Sequence, residues 1–263
     1  MSVWSDWVSR LGHRWGWVAG QFGGVLLLLL MGMAWTRLPD KHGWQVVLTL
    51  AVPVLLLAVL LALQAGTMRA LTDDDGRRVR LAWGAMALLA WIAVFWAAWT
   101  VLDWCDGRIP LWAGYLNSQA PAHWRARALT YEHLLHWMTR AEWVLRWIVV
   151  PGKLTMCAVA SAQWGWRLPW RRLMRVLLNW RWWPAVVAAA LLAVRLPSWF
   201  FTGIPRGTVG HQVWTVVLKL GGTYMLAVGC WVLLLGWAAA LLARTAQADS
   251  SPAEAGGNSG GKA

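Results

Sequence analysis

The residues of this chain most able to do chemistry are two cations set among apolar neighbours: Lys153 in IVVPGKLTM and Arg195 in LLAVRLPSW. An ammonium and a guanidinium in a dry interior would hold an anionic group, a phosphate or a carboxylate, through charge-assisted hydrogen bonds. A charge at the bilayer centre costs about 2.5–3.5 kcal/mol on the insertion scale, so each needs a partner, a wet cavity or a broken backbone nearby. Both stand beside prolines. Lys153 follows Pro151-Gly152, and Arg195 precedes Pro197, which lacks an N–H and so frees a carbonyl one turn earlier. The competing placement is interfacial: the fourth span begins only after Pro151-Gly152, and Arg195 extends its long stem outward. Among nearby acids, Glu142 and Arg146 are spaced to pair with each other on one helix. That leaves Asp103 as the free carboxylate, and Lys153, Arg195 and Asp103 as the expected substrate-binding residues.

Two further stretches resemble catalytic or metal motifs. Residues 103–111, DWCDGRIPL, resemble the opening of the CDP-alcohol phosphotransferase signature: Asp103, Asp106 and Gly107 match. Pro110-Leu111 replace the Ala-Arg pair and no DxxxD follows, so divalent metal and phosphate would not be held as in that family. In YEHLLH (131–136), His133 and His136 are three apart and would share a helix face, but the order is neither HExxH nor HxxEH. An interfacial amphipathic helix with histidines on its wet face accounts for the stretch. Cys105, Cys157 and Cys230 are far apart and suggest neither a zinc site nor a disulfide framework. No P-loop, nucleophile elbow or dinucleotide loop occurs. No catalytic residue, metal site or cofactor is assigned.

The elements that must position these residues are membrane helices. Only 13% of the 263 residues are charged and 59% are hydrophobic, against about a quarter charged in soluble domains. The expected fold is an all-α integral membrane protein with six spans, at about 18–37, 45–66, 81–102, 142–165, 185–203 and 212–243. These make up a transmembrane domain over 18–245, preceded by an amphipathic N-terminus (1–17) and followed by a polar tail (246–263) expected to be disordered. The first span lacks a small-residue cleavage site and reads as an uncleaved helix. Arg10, Arg14, Arg69, Arg77, Arg78, Arg80, Arg167, Arg171, Arg172, Arg175, Arg181 and Arg244 all fall on one side. The positive-inside rule makes that side cytoplasmic, with both termini inside a bacterial-type inner membrane. The outer loop 103–141 is also basic, through Arg108, Arg125, Arg127 and Arg140, which lessens the contrast.

Internal similarities hint at three parallel hairpins. Arg37-Leu38-Pro39, Arg108-Ile109-Pro110 and Arg195-Leu196-Pro197 each follow or close an odd-numbered span. WQVVLTL (44–50) matches WTVVLKL (214–220), and Val52-Pro53 matches Val150-Pro151. Such a repeat, related by an axis along the membrane normal, favours a central cavity and therefore transport. Interfacial enrichment of Arg, Pro and Trp yields similar matches without any repeat. On the last span Gly222, Gly229 and Gly236 recur every seventh residue, with Ala243 continuing the series, a stripe cleared for a neighbouring helix.

Residues 169–183 form an expected interfacial helix. Trp170, Leu173, Met174, Leu177, Leu178 and Trp180 gather on one side, and Arg171, Arg172, Arg175 and Asn179 on the other. Arg171, Arg172, Arg175, Trp180, Trp182 and Trp183 are then lipid-headgroup contacts, the three tryptophans anchoring the bend before Pro184. Most other tryptophans also fall near span ends, as an aromatic belt requires. The net charge of +13 points to anionic lipid headgroups as partners, not nucleic acid, because no basic-aromatic module is present. Three functional classes follow: a transporter-like protein for a small anionic or amphiphilic solute, a non-catalytic assembly factor or complex subunit, and, last, a lipid-headgroup enzyme resting on Asp103, Asp106 and the histidines.

Overall fold

A computed structural model describes residues 3–37, 42–72, 81–125, 129–166, 168, 170–202 and 208–255. Helices α1 (Val3–His13), α2 (Trp15–Trp35), α3 (Gly43–Thr72), α4 (Leu81–Asp106), α5 (Ile109–Gln119) and α6 (Ala122–Arg125) occupy the first half. They are followed by α7 (Tyr131–Val144), α8 (Val150–Trp164), α9 (Trp170–Leu177), α10 (Trp182–Ala190), α11 (Leu196–Phe200) and α12 (Val209–Ala255). Two π-helical turns splice neighbouring helices: Leu145–Val149 joins α7 to α8, and Leu191–Arg195 joins α10 to α11. Six helical stretches among the described residues are long and apolar enough to cross a membrane, and they coincide with the six expected spans. The protein is an all-α, multi-pass membrane protein.

The π turns have a local cause. A proline ring clashes with the carbonyl four residues back and offers it no N–H. Here that carbonyl belongs to Trp147 before Pro151 and to Ala193 before Pro197. The chain widens instead: Val150 N–H bonds Leu145 O, and Leu196 N–H bonds Leu191 O, each reaching back five residues. Pro53, by contrast, sits inside α3 with no such turn.

The chain divides into two compact units, Met1–Leu89 with Thr155–Ala263, and Ala90–Leu154. In the first, α12 is the hub, touching α1, α2, α3, α9 and α10. Val18, Val228 and Val232 form a buried cluster with Leu11, Phe22, Val25 and Tyr224 packed against it. The glycine stripe admits these neighbours unevenly. A Cβ at Gly236 would meet Trp7 Nε1 at 3.2 Å and Leu11 Cδ2 at 3.3 Å, one at Gly229 would meet Phe22 at 3.8 Å, and one at Gly222 would meet nothing within 4 Å. The close approach is thus to α1 and α2, tightest at Gly236.

Polar side chains tie these spans together where water would be scarce. Trp231 Nε1 donates to Gln64 Oε1 at 2.8 Å, Trp35 Nε1 to Thr49 O at 3.1 Å, and Tyr224 Oη to Phe22 O. Gln21 is fully buried, with Thr67 Oγ1 2.9 Å from its Oε1.

In the second unit, the segment expected as an outer loop is largely helical. Pro110 suits the first turn of α5, where an N–H is not needed. Asn117 Nδ2 donates to Leu129 O at 2.6 Å, fastening α5 to the entry of α7. Thr130 then caps α7, accepting from His133 N. The tripeptide Arg108-Ile109-Pro110 therefore opens an interhelical connection, whereas Arg195-Leu196-Pro197 lies inside a continuous span.

Two boundaries differ from expectation. α12 continues to Ala255, into the segment expected to be disordered; its Ala-rich sequence extends a helix already nucleated. α9 stops at Leu177 rather than continuing to 183, because Asn179 Oδ1 accepts from Arg181 N at 3.0 Å in a side-chain-closed turn. The sequence readings at Leu38, Pro39, Arg77, Arg78, Arg80, Arg127, Arg167, Pro169 and 256–263 lie outside the described residues.

Candidate functional site

Lys153 lies within a helical run that continues from Tyr131 to Trp164, interrupted only by the π turn. Its span therefore does not begin at Pro151-Gly152. The side chain is exposed on the helix surface, while Gly152 beside it is buried. Arg195 is the last residue of the other π turn and is also exposed. Its carbonyl accepts from Ser198 Oγ at 2.7 Å. Its side chain borders an open, mainly apolar pocket of about 610 Å³ with Leu192, Trp199 and Thr202. Lys153 belongs to the unit 90–154 and Arg195 to the other.

Asp103 is not a free carboxylate. Arg146 Nη1 bonds Asp103 Oδ1 at 2.6 Å, while Arg146 Nε bonds Glu142 Oε1. The expected Glu142–Arg146 pair forms, but a guanidinium has a second edge and can serve two carboxylates at once. Arg146 also lies over the Trp99 ring, with Cζ 4.9 Å from the ring centroid. Trp99 in turn meets Trp147 edge-on at 5.1 Å and Phe95 at 5.4 Å. The Arg146 side chain is only 14% exposed and that of Glu142 12%, against 56% for Asp103. The result is a sheltered charge cluster on an aromatic floor, in which Arg146 bonds both carboxylates while its Nη2 is buried without a partner. Spacing revealed the Glu142–Arg146 half of it. The Asp103 half depends on two helices meeting.

The motif-like stretches do not assemble into a catalytic centre. Asp106 is exposed at the end of α4, and Arg108 covers the Trp104 ring at 4.0 Å. His133 Nδ1 lies 3.0 Å from the cap hydroxyl of Thr130, and His136 is exposed one turn on. Among the described residues no three His, Cys, Asp or Glu side chains are grouped to hold a metal ion.

The expected headgroup contacts separate into two kinds. Arg171, Arg175 and Trp180 are exposed and Arg172 is half-buried, while Trp183 Nε1 donates back to Leu177 O at 2.8 Å. Trp182 is different: it is fully buried, so it cannot touch a headgroup. Leu173, Val176 and Leu177 are also buried, whereas Trp170, Met174 and Leu178 are exposed. The buried face of α9 packs on α12, so the helix lies against protein through a narrower stripe than its wheel suggests. Asn179 turns the chain so that Trp182, first residue of α10, points inward rather than outward. No family model, curated protein or solved structure matches the chain.

Proposed function

We propose that this chain is a transporter-like protein of the inner (plasma) membrane, both termini cytoplasmic, that carries a small anionic or amphiphilic solute. The observation that carries the reading is the pairing of a widened helical turn, a proline and a cation in two separate spans. Lys153 follows the π turn before Pro151, and Arg195 closes the π turn before Pro197. Interrupted helices at membrane depth are tolerated where they line protein or water, and π turns concentrate at functional positions. Lys153 is eleven residues from Trp164, about 16 Å along an α-helix and close to half the hydrocarbon thickness. A cation at that depth is a reason in itself to infer a solute route. Asp103 enters this reading as the counter-charge that keeps Arg146 in place. Arg171, Arg172, Arg175, Trp180 and Trp183 are assigned to the cytoplasmic leaflet, facing anionic headgroups, and no nucleic-acid role is assigned.

The test uses protein with Cys105, Cys157 and Cys230 all replaced by Ser or Ala and a single cysteine introduced at position 153 or 195. Reaction of both with a membrane-impermeant thiol reagent, and loss of anion flux into proteoliposomes for Lys153→Gln, are expected. A cysteine at 153 that resists the reagent in intact vesicles from both sides would exclude a wet route there.

A second reading, as a subunit of a membrane complex, is favoured by one face of α2. Gly16, Gly20 and Gly23 are exposed, and a Cβ added at any of them would meet nothing within 4 Å. Such a bare small-residue face suits another helix. Cysteine at Gly20 should then form cross-links in native membranes; its absence from any cross-linked species would remove this reading.

A further inference from the structure

The first unit contains an apolar groove of about 840 Å³ between α1, α10 and α12. Its geometry follows from one bond. Trp237 Nε1 donates to Arg181 O at 3.1 Å, setting the start of α10 level with that turn of α12. From there α10 runs along the groove through Ala185 and Ala188 and into the π turn at Leu192, while the antiparallel α12 runs back through Leu233 to Cys230. Small alanines on one wall leave the space that larger residues would fill. The third wall is α1, whose Trp4 and Trp7 rings meet Trp237 tilted and edge-on at 5.5 and 6.1 Å, Trp7 being fastened to Leu233 O at 3.3 Å.

Charge lies only at one end. Arg181 stands just before α10 and Arg244 two turns beyond Trp237, and both line the groove. Among the described residues no acidic side chain lines it. Trp180 and Trp4, 73% and 62% exposed, stand at the same end, the amphipathic ring type found at headgroup level.

We propose that this groove holds an anionic phospholipid, its acyl chains against the alanine face of α10 and its phosphate at the end lined by Arg181 and Arg244. The complementarity selects this occupant. An all-apolar wall with cations at one end matches a molecule that is apolar along its length and anionic at its head. A soluble anion has no use for the wall, and a cationic ligand meets only like charge. The site is independent of the roles assigned to Lys153 and to Arg195.

The test is native mass spectrometry of full-length protein extracted in mild detergent and offered phosphatidylglycerol or phosphatidylcholine. Wild type should retain phosphatidylglycerol preferentially. Arg181→Gln and Arg244→Gln should each weaken that retention about fivefold, matching about 1 kcal/mol per arginine at a lipid surface, with phosphatidylcholine unaffected. Ala188→Trp, which fills the groove, should abolish retention. Because that variant can fail to fold, wild-type protein is also cross-linked with a photoactivatable phosphatidylglycerol, whose adducts should map to residues 184–192 and 230–237. Equal retention of the two lipids, adducts confined to other helices, or cross-linking of this face to another protein chain would overturn the assignment.

Discussion

Arg146 reaches Asp103 across 43 residues of chain, at 2.6 Å, while holding Glu142 on its own helix. The two carboxylates differ in shelter, and so should the consequences of losing them. Arg146→Leu leaves Glu142 poorly exposed and without a counter-charge, which should cost more than the about 1 kcal/mol of an exposed pair. Asp103→Asn removes the wetter partner and should cost about 1 kcal/mol or less. Arg146→Lys should recover only part of the loss, because an ammonium cannot bridge both carboxylates in a plane over Trp99. Thermal melting in detergent ranks the three; equal losses for Asp103→Asn and Arg146→Leu would contradict the arrangement.

The tryptophans at 180 and 182 should behave oppositely. Trp182→Ala empties a fully enclosed volume and should destabilise by about 3–5 kcal/mol. Trp180 is largely exposed, and Trp180→Ala should change the melting point of detergent-solubilised protein little, within about 0.5 kcal/mol. Matching losses at both positions would mean that the turn at Asn179 is misplaced.

Along α12, Gly236→Leu should be the severe substitution. Its side chain would enter space held by Trp7 and Leu11, at a cost of about 1–3 kcal/mol or more. Gly229→Leu should be intermediate, meeting Phe22, and Gly222→Leu nearly neutral. Comparing the yield of monodisperse protein for the three gives the order directly, and an inverted order would show that α1 does not pack there.

The Trp231–Gln64 hydrogen bond is a test of polar attachment between spans. A double-mutant cycle with Trp231→Phe and Gln64→Leu should give a coupling of about 0.6 kcal/mol, as interhelical bonds in membranes do on average. No coupling within error would show that the two side chains do not meet.

The six spans were legible because apolar length is the price of crossing a bilayer, and nothing in a loop of this chain imitates it. The cause of the π turns was legible at Pro197, where a freed carbonyl was expected. What hid from sequence depended on particular meetings between elements. Asp103 gives no local sign that Arg146 will arrive from another helix. Trp182 has the same type and setting as its neighbours Trp180 and Trp183, and only the turn closed by Asn179 decides which of the three enters the interior. The glycine stripe announced a close approach, but its partner, α1, reads as a surface helix until Trp4 and Trp7 are seen packed against Trp237.

That packing bears on biogenesis. α12 is translated after every helix it packs against, so the spans α2 and α3 enter the bilayer before their common partner exists. Each must persist as an independent span until then. A chain arrested before α12 would display Trp4, Trp7, Val18 and Phe22 uncovered, a surface by which quality-control proteases can distinguish unfinished protein from finished.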